Sequence, residues 1–121
     1  MNLQEVMNQQ VFVVVGDTQN DEKYAYKIKN ELIASGYNVY GVGKELMSIN
    51  DVPEKIDVID LCIHPAKGLK LLQECTKDFA CIVIQPGAES EEIVTYLKEK
   101  GMPFIRGCLL LGLRLYPRIK F

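Results

Sequence analysis

Short apolar runs alternate with amphipathic segments along most of this chain. The run Val11–Val15 is β-branched and aromatic and does not alternate with polar residues, which is typical of a strand covered on both faces of a parallel sheet. Gly16 ends the run, a polar loop follows over Asp17–Asp21, and apolar residues recur at helical spacing between Tyr24 and Ile33. This stretch predicts a buried strand, a tight turn and a helix that begins beside the end of the strand.

The same alternation continues toward the C-terminus. Further strands are predicted over Tyr37–Val42, Ile56–Ile63, Ala80–Ile84 and Met102–Ile105. Further helices are predicted within Met1–Gln10, after Pro65, and from Ser90 to Lys100. Strands and helices that alternate at about thirty-residue spacing indicate βαβ units with right-handed crossovers. We therefore predict an α/β fold, namely a single three-layer Rossmann-like domain over residues 1–121 with a five-stranded, mostly parallel sheet.

The stretch Leu109–Tyr116 fits two structures. Its leucines alternate with Gly112 and Arg114, a pattern of period two that suits an edge strand or a contact between two copies of the chain. A short helix fits the same residues nearly as well. Both interpretations stay open at this point, and with them a homodimer.

Composition narrows the function classes. The 121 residues carry a net charge of −2, whereas binding to nucleic acid or to an anionic membrane needs a concentrated basic face. Neither the N-terminus nor any apolar run has the pattern of a signal peptide or a membrane span. The four cysteines have no CxxC spacing and suggest neither a disulfide framework nor a metal site. We expect a cytoplasmic protein that binds neither nucleic acid nor membrane.

The candidate site lies at the carboxyl edge of the predicted sheet, where open parallel sheets bind their ligands. The segments that arrive there are Gly16–Asn20, Gly41–Lys44, His64–Pro65, Gln85–Ala88 and Arg106–Gly107. The amide groups and the dipole of a helix that starts after Gly16 attract an anion. We therefore predict that the protein binds a phosphorylated molecule.

The glycine and charge pattern narrows the choice of nucleotide. A dinucleotide fingerprint has three glycines in the first loop and an acidic residue at the end of strand two. Here Gly16 stands alone, and strand two ends in Gly43-Lys44. A lysine at that place suits an extra phosphate on a ribose, which disfavours NAD and leaves NADP or coenzyme A (CoA).

Several polar residues at this edge have both a structural and a ligand-binding interpretation. Lys23 could meet a diphosphate or be a solvated surface lysine, and Thr18 could donate to a phosphate or cap a turn. His64 could contact the ligand or make a structural hydrogen bond, and Gln85 could line the site or make the turn. Nothing in the sequence pairs His64 with a nucleophile or a carboxylate as acyl transfer requires. The sequence therefore shows no catalytic constellation.

The order and spacing of several segments carry a family resemblance. These segments are 14–26 (VVGDTQNDEKYAY), 35–40 (SGYNVY), 56–61 (IDVIDL), 85–92 (QPGAESEE) and 106–108 (RGC). Together they resemble the small bacterial and archaeal CoA-binding proteins, single Rossmann-like domains similar to the CoA-binding part of the succinyl-CoA synthetase α chain. The resemblance spans about Val11 to Cys108.

This resemblance implies that CoA binds with its phosphates over the first strand–helix loop and its adenosine near the exit of strand two. Gly16 and Thr18 match the glycine and the hydroxyl residue of that loop, and Lys23 stands where an arginine is usual. Tyr26 matches a tyrosine of the first long helix. The chain departs from the family pattern with Asp21 for a proline, Ala25 for a serine, Gly43-Lys44 for Asn-Pro and Gly107 for an arginine.

The leading hypothesis is a non-catalytic module that binds CoA or an acyl-CoA. Its candidate binding residues are Gly16, Thr18, Gln19, Lys23, Val42, Gly43, Lys44, His64 and Pro65. One alternative is a degenerate Rossmann domain that has lost its ligand and acts through self-association or a protein partner. Another is a fragment of an NADP-type oxidoreductase, against which the missing glycines count.

Overall fold

A computed structural model describes residues 1–118; the last three residues of the predicted domain, 119–121, lie outside the described residues. Five strands and five α-helices form in the described part of the chain. The strands are β1 (Val11–Gly16), β2 (Asn38–Gly43), β3 (Val58–Leu61), β4 (Cys81–Ile84) and β5 (Phe104–Arg106). The helices are α1 (Leu3–Met7), α2 (Tyr24–Ala34), α3 (Pro65–Glu74), α4 (Glu91–Glu99) and α5 (Leu109–Leu115), and a short 3₁₀ turn covers Ile49–Asp51.

Neighbouring strands all run parallel, in the order β2-β1-β3-β4-β5. β1 and β2 pair from Val11 opposite Asn38 to Gly16 opposite Gly43. The chain moves outward from β1 to β2 on one side and returns to β3 on the other, which places the topological switch point between β1 and β3. The α/β, Rossmann-like prediction is confirmed, and the described sheet is wholly parallel.

Helices cover both faces of the sheet, so the domain has three layers. The face under α1, α2 and α5 buries apolar side chains of these helices, namely Val6, Met7, Ala25, Ile28, Leu32 and Leu109. The opposite face buries Leu72 of α3 and Ile93 and Leu97 of α4. All six residues of β1 are buried, because this strand lies inside the sheet and is covered on both faces. That is the environment its unbroken apolar run predicts.

The ambiguous C-terminal stretch forms a helix, α5. Leu109 and Gly112 are buried while Leu111 and Leu115 are exposed, and inward positions three residues apart belong to a helix rather than to a strand. The edge-strand alternative is therefore wrong and the short-helix alternative is confirmed. The homodimer stays a prediction.

The third and fifth strands have other bounds than the sequence predicts, and of these two only the third is shorter at the end that meets the site. The third strand ends at Leu61 instead of Ile63, and Cys62 and Ile63 line a cavity. The fifth strand begins at Phe104 instead of Met102. Within residues 1–118, no helix combines the length and the apolar character that crossing a membrane requires.

Candidate functional site

A cavity of about 750 Å³ opens at the carboxyl edge of the sheet, where this fold class places its ligands. Small-molecule sites usually have volumes of about 300–1,000 Å³. The lining comes from the residues that follow β1, β2, β3 and β4, from the first turns of α2 and α3, and from Cys108 just before α5. The cavity therefore runs across the ends of the strands, from the β2 side to the β5 side.

Backbone forms the wall of the cavity beside the first loop. A Cβ on Gly16 would stand 2.5 Å from the carbonyl oxygen of Cys62. Gly43, opposite Gly16 in the ladder, has a φ of +127°, and a Cβ there would stand 2.9 Å from the Gly16 carbonyl oxygen. Glycine alone fits both places. A ligand can consequently approach the main chain at the ends of β1 and β2.

Helix α2 begins at this wall without a side-chain cap in the described structure. Its N-cap is Lys23, whose side chain makes no capping hydrogen bond. The preceding loop is held by its own side chains, since the N–H of Gln19 donates to Asp17 Oδ1 at 3.3 Å and the N–H of Glu22 donates to Asn20 Oδ1 at 3.0 Å. The first-turn N–H groups of an uncapped helix are left for water or an anion.

Positive charge dominates the cavity. Among the described residues, the lysines Lys23, Lys44 and Lys67 line it together with His64, and Asp17 is the acidic residue of the lining. The three lysines are exposed, so their ammonium groups stay hydrated until a ligand arrives. A concave surface with an excess of one sign of charge raises the local concentration of ligands of the other sign. The site therefore favours an anion.

Five of the nine binding residues predicted from the sequence line this cavity, namely Gly16, Lys23, Gly43, Lys44 and His64. The structural hydrogen bond of His64 is confirmed, since its Nδ1 accepts the N–H of Ala66 at 3.2 Å at the start of α3, and His64 also lines the cavity. Gln19 lies in a neighbouring groove that Asp21 and Lys44 also line. The ligand role of each of these residues stays a prediction.

The structure does not bring the side chains of Thr18, Val42 and Pro65 into the cavity. Thr18 is buried, and its hydroxyl donates to the carboxylate of Glu45, which also binds the Lys29 ammonium at 2.5 Å. Partial burial raises the pKa of Glu45, but hydrogen bonds from Lys29 and Thr18 outweigh it and leave the pKa below its usual value. Val42 is fully buried in the core, and Pro65 is the first residue of α3.

The site also contains Gln85, whose role the sequence leaves open. This side chain is 5% exposed and lies at the exit of β4. Its Oε1 accepts the N–H of Leu109 at 2.9 Å, and its Nε2 lies 3.8 Å from Cys108 Sγ. A buried amide that ties β4 to the start of α5 is part of the cavity wall and not only of a turn.

A buried carboxyl group is hydrogen-bonded to Cys62, which lines the cavity. Asp60, in the middle of β3, has no exposed surface, and burial raises its pKa to about 7 although a hydrogen bond from Cys62 works in the opposite direction. Cys62 Sγ donates to Asp60 Oδ2 at 3.3 Å, while Oδ1 has no hydrogen-bond partner within residues 1–118. Burial and the neighbouring carboxyl raise the pKa of the Cys62 thiol. The sequence does not predict this pair, because Asp60 is a single polar residue within an apolar run.

A sequence profile of the CoA binding domain matches residues 10–114. The chain belongs to the CoA-binding domain family. The matched residues include every strand of the described sheet and every part of the cavity. No curated protein matches this CoA-binding domain significantly.

Solved structures that resemble this CoA-binding domain are small proteins of the same fold. A conserved hypothetical protein from Pyrococcus furiosus is 30% identical, with 85% of this chain and 98% of that one covered and a TM-score of 0.77. A hypothetical protein from Pyrococcus horikoshii OT3 is 21% identical over 94% of this chain and 89% of its own, with a TM-score of 0.83. A protein from Thermus thermophilus is 21% identical over 96% and 99%, with a TM-score of 0.79.

Proposed function

We propose that this CoA-binding domain binds CoA or an acyl-CoA as a non-catalytic module. The observation that carries the proposal is the uncapped start of α2, which lies beside Gly16 and shares the cavity with Lys23 and Lys44. A diphosphate at that point would receive main-chain N–H donors and a charge-assisted contact from the Lys23 ammonium group. Membership of the family supports CoA as the molecule that brings the diphosphate.

In this proposal Lys44 contacts the phosphate on the ribose of CoA. Lys44 follows the last residue of β2, which is the outer strand on this side of the sheet, and it is exposed. Gly43, with no side chain, and the backbone of Val42 would lie beneath the adenosine. NAD has no extra phosphate on its ribose hydroxyls and would leave the Lys44 ammonium without a partner.

Two of the predicted residues act indirectly in this proposal. Thr18 holds the first loop in place through Glu45 rather than touching a phosphate. Pro65 fixes the start of α3 and, with it, the position of His64 at the cavity. Gln19 and Asp21 border the phosphate region from the neighbouring groove.

The test is a calorimetric titration with CoA and with dephospho-CoA, which lacks the ribose phosphate. We expect CoA to bind about tenfold more tightly, a difference of about 1.4 kcal/mol. Lys44→Ala should remove that difference, because it should weaken the binding of CoA and leave the binding of dephospho-CoA unchanged. Lys70→Ala is the control, since Lys70 is an exposed lysine of α3 outside the cavity lining. If Lys44→Ala loses affinity for both ligands equally, Lys44 does not contact the phosphate on the ribose.

The exposed leucines of α5 favour a second candidate function. Leu111 and Leu115 are 39% and 54% exposed, and exposed apolar side chains on one helix suit self-association or a protein partner. Under this alternative none of CoA, dephospho-CoA, NADP and NAD would bind. The same titrations therefore distinguish the two candidates.

A further inference from the structure

Cys108 and Gln85 form a distinct thiol site in the cavity. Cys108 is partly buried and lines the cavity on the β5 side. The N–H of Leu109 donates to Gln85 Oε1 at 2.9 Å, which fixes the orientation of the amide. The NH₂ group is thereby turned toward Cys108, with Nε2 3.8 Å from Sγ. The Gln85 amide therefore presents an oriented N–H donor to the sulfur of Cys108 at the cavity.

The Gln85 amide, rather than the nearby Arg106, is the hydrogen-bond donor to the sulfur of Cys108. Arg106, two residues earlier, pairs with Glu89 at 2.8 Å rather than with Cys108. The second thiol of the cavity lining, Cys62, donates to the buried carboxyl of Asp60, and burial and that carboxyl raise its pKa. Of the two thiols, Cys62 is thus engaged as a protonated donor to Asp60, while Cys108 accepts from Gln85 and lines the cavity.

The distance between the phosphate region and Cys108 matches the length of the CoA arm. Neighbouring strands lie about 4.8 Å apart, so the exits of β1 and β5 are about 14 Å apart in the order β1-β3-β4-β5. The pantetheine arm has about thirteen bonds from phosphorus to sulfur and extends to about 16 Å at roughly 1.2 Å per bond, as in an extended chain. A CoA whose diphosphate lies at α2 would thus bring its sulfur to the β5 side.

We propose that Cys108 exchanges with CoA disulfide and carries CoA as a mixed disulfide. This inference rests on the proposed function, because the CoA half must first bind in the cavity. The Cys108 thiolate attacks one sulfur of CoA disulfide, the S–S bond of the reagent breaks, and a new S–S bond joins Cys108 to one CoA. The other CoA leaves as a thiolate and takes up a proton from water. One disulfide is consumed and one is formed, so no other oxidant is needed.

The mixed disulfide should persist in this site. Its breakdown within the protein would need Cys62 to attack as a thiolate, and the thiol of Cys62 is held protonated beside Asp60. An external thiol would still release the CoA. The protein would then hold CoA covalently when CoA disulfide accumulates and release it when reduced thiols return.

Intact-protein mass spectrometry tests this proposal. Reduced protein is incubated with CoA disulfide, and we expect a mass gain of one CoA per chain that dithiothreitol reverses. Cys108→Ser should abolish the gain. Cys75→Ser should keep it, because Cys75 is an equally half-buried thiol at the end of α3, outside the cavity lining. Glutathione disulfide, which has no nucleotide to bind, should react at least tenfold more slowly.

Other outcomes would overturn the proposal. An adduct that survives in Cys108→Ser, no adduct at all, or equal rates with the two disulfides would each show that Cys108 is not a directed exchange site. Titration of reduced CoA into the wild type and Cys108→Ser separates this failure from failure of the proposed function. If both proteins bind CoA but no adduct forms, only the covalent step is wrong, whereas absence of binding would overturn the proposed function itself.

Discussion

Asp60 is a carboxyl group with no exposed surface in the middle of β3. Its strand neighbours Val14 and Val83 are fully buried, and one of its oxygens has no hydrogen-bond partner in the described structure. Removing a charge from water without a compensating partner is costly, so burial raises its pKa to about 7. A residue of this kind makes the stability of the domain depend on pH.

The direction of this dependence follows from the two pKa values. The native carboxyl keeps its proton up to about pH 7, whereas the unfolded carboxyl loses it near 3.8. Between these values the native state binds more protons, so the free energy of unfolding falls as pH rises. We predict that Asp60→Asn gains stability relative to the wild type by up to about 4 kcal/mol between pH 4 and pH 8.

Urea unfolding of both proteins across this pH range measures the effect. The exposed Asp78→Asn variant is the control and should follow the wild-type curve. Parallel curves for Asp60→Asn and the wild type would show that the Asp60 carboxyl does not titrate in this way.

At the scale of elements, the ends of β1 and β2 shape the site through their close backbone approach. Gly43 combines a φ of +127° with a Gly16 carbonyl oxygen 2.9 Å from where its Cβ would stand. Gly43→Ala should therefore destabilise the domain by about 1–3 kcal/mol and weaken CoA binding, because the strain displaces the wall next to the phosphate region.

Denaturant unfolding and a CoA titration of the same variant check this prediction. Gly107→Ala is the matched control, since no described atom lies within 4 Å of a Cβ at that position, and it should change stability by less than about 0.5 kcal/mol. If the denaturant midpoint of Gly43→Ala equals that of the wild type, the backbone at the end of β2 accommodates the new Cβ without loss of stability, and the prediction is wrong.

The elements themselves were largely predictable from the sequence, with α5 as the instructive exception. The run Val11–Val15 and the helical spacing after it leave one interpretation, because a wholly apolar strand must be covered on both faces. In α5 the leucines fit a period of two as well as a helix. Only packing against α1, where a Cβ on Gly112 would stand 2.7 Å from Met7 Sδ, decides for the helix.

The site was only partly predictable, because residues that are close in sequence can be placed together from a local pattern and residues far apart in sequence cannot. Gly16 and Lys23 belong to one loop, so the pattern that predicts the loop also brings them together. Thr18 faces Glu45, which is 27 residues away along the chain, and no local pattern shows which way its hydroxyl points. Gln85, Cys62 and Cys108 meet because three strand exits converge at one edge, and that convergence depends on the strand order and register.

For the whole molecule, we propose that one cavity binds one ligand, with the phosphates at α2, the adenosine at the end of β2 and the thiol arm along the exits of β3, β4 and β5. Each part is a separate hypothesis, but all of them require that CoA binds the folded domain. A ligand at a hundred times its dissociation constant stabilises a native protein by about 2.7 kcal/mol.

The most direct test is thermal unfolding of the wild type with CoA, NADP and NAD. For a domain of 121 residues, a stabilisation of about 2.7 kcal/mol corresponds to a rise of about 10 °C in Tm. We predict that CoA raises Tm by this order, with a smaller shift for NADP and the smallest for NAD, which leaves Lys44 without a partner. A Tm that saturating CoA leaves unchanged would contradict the proposed function.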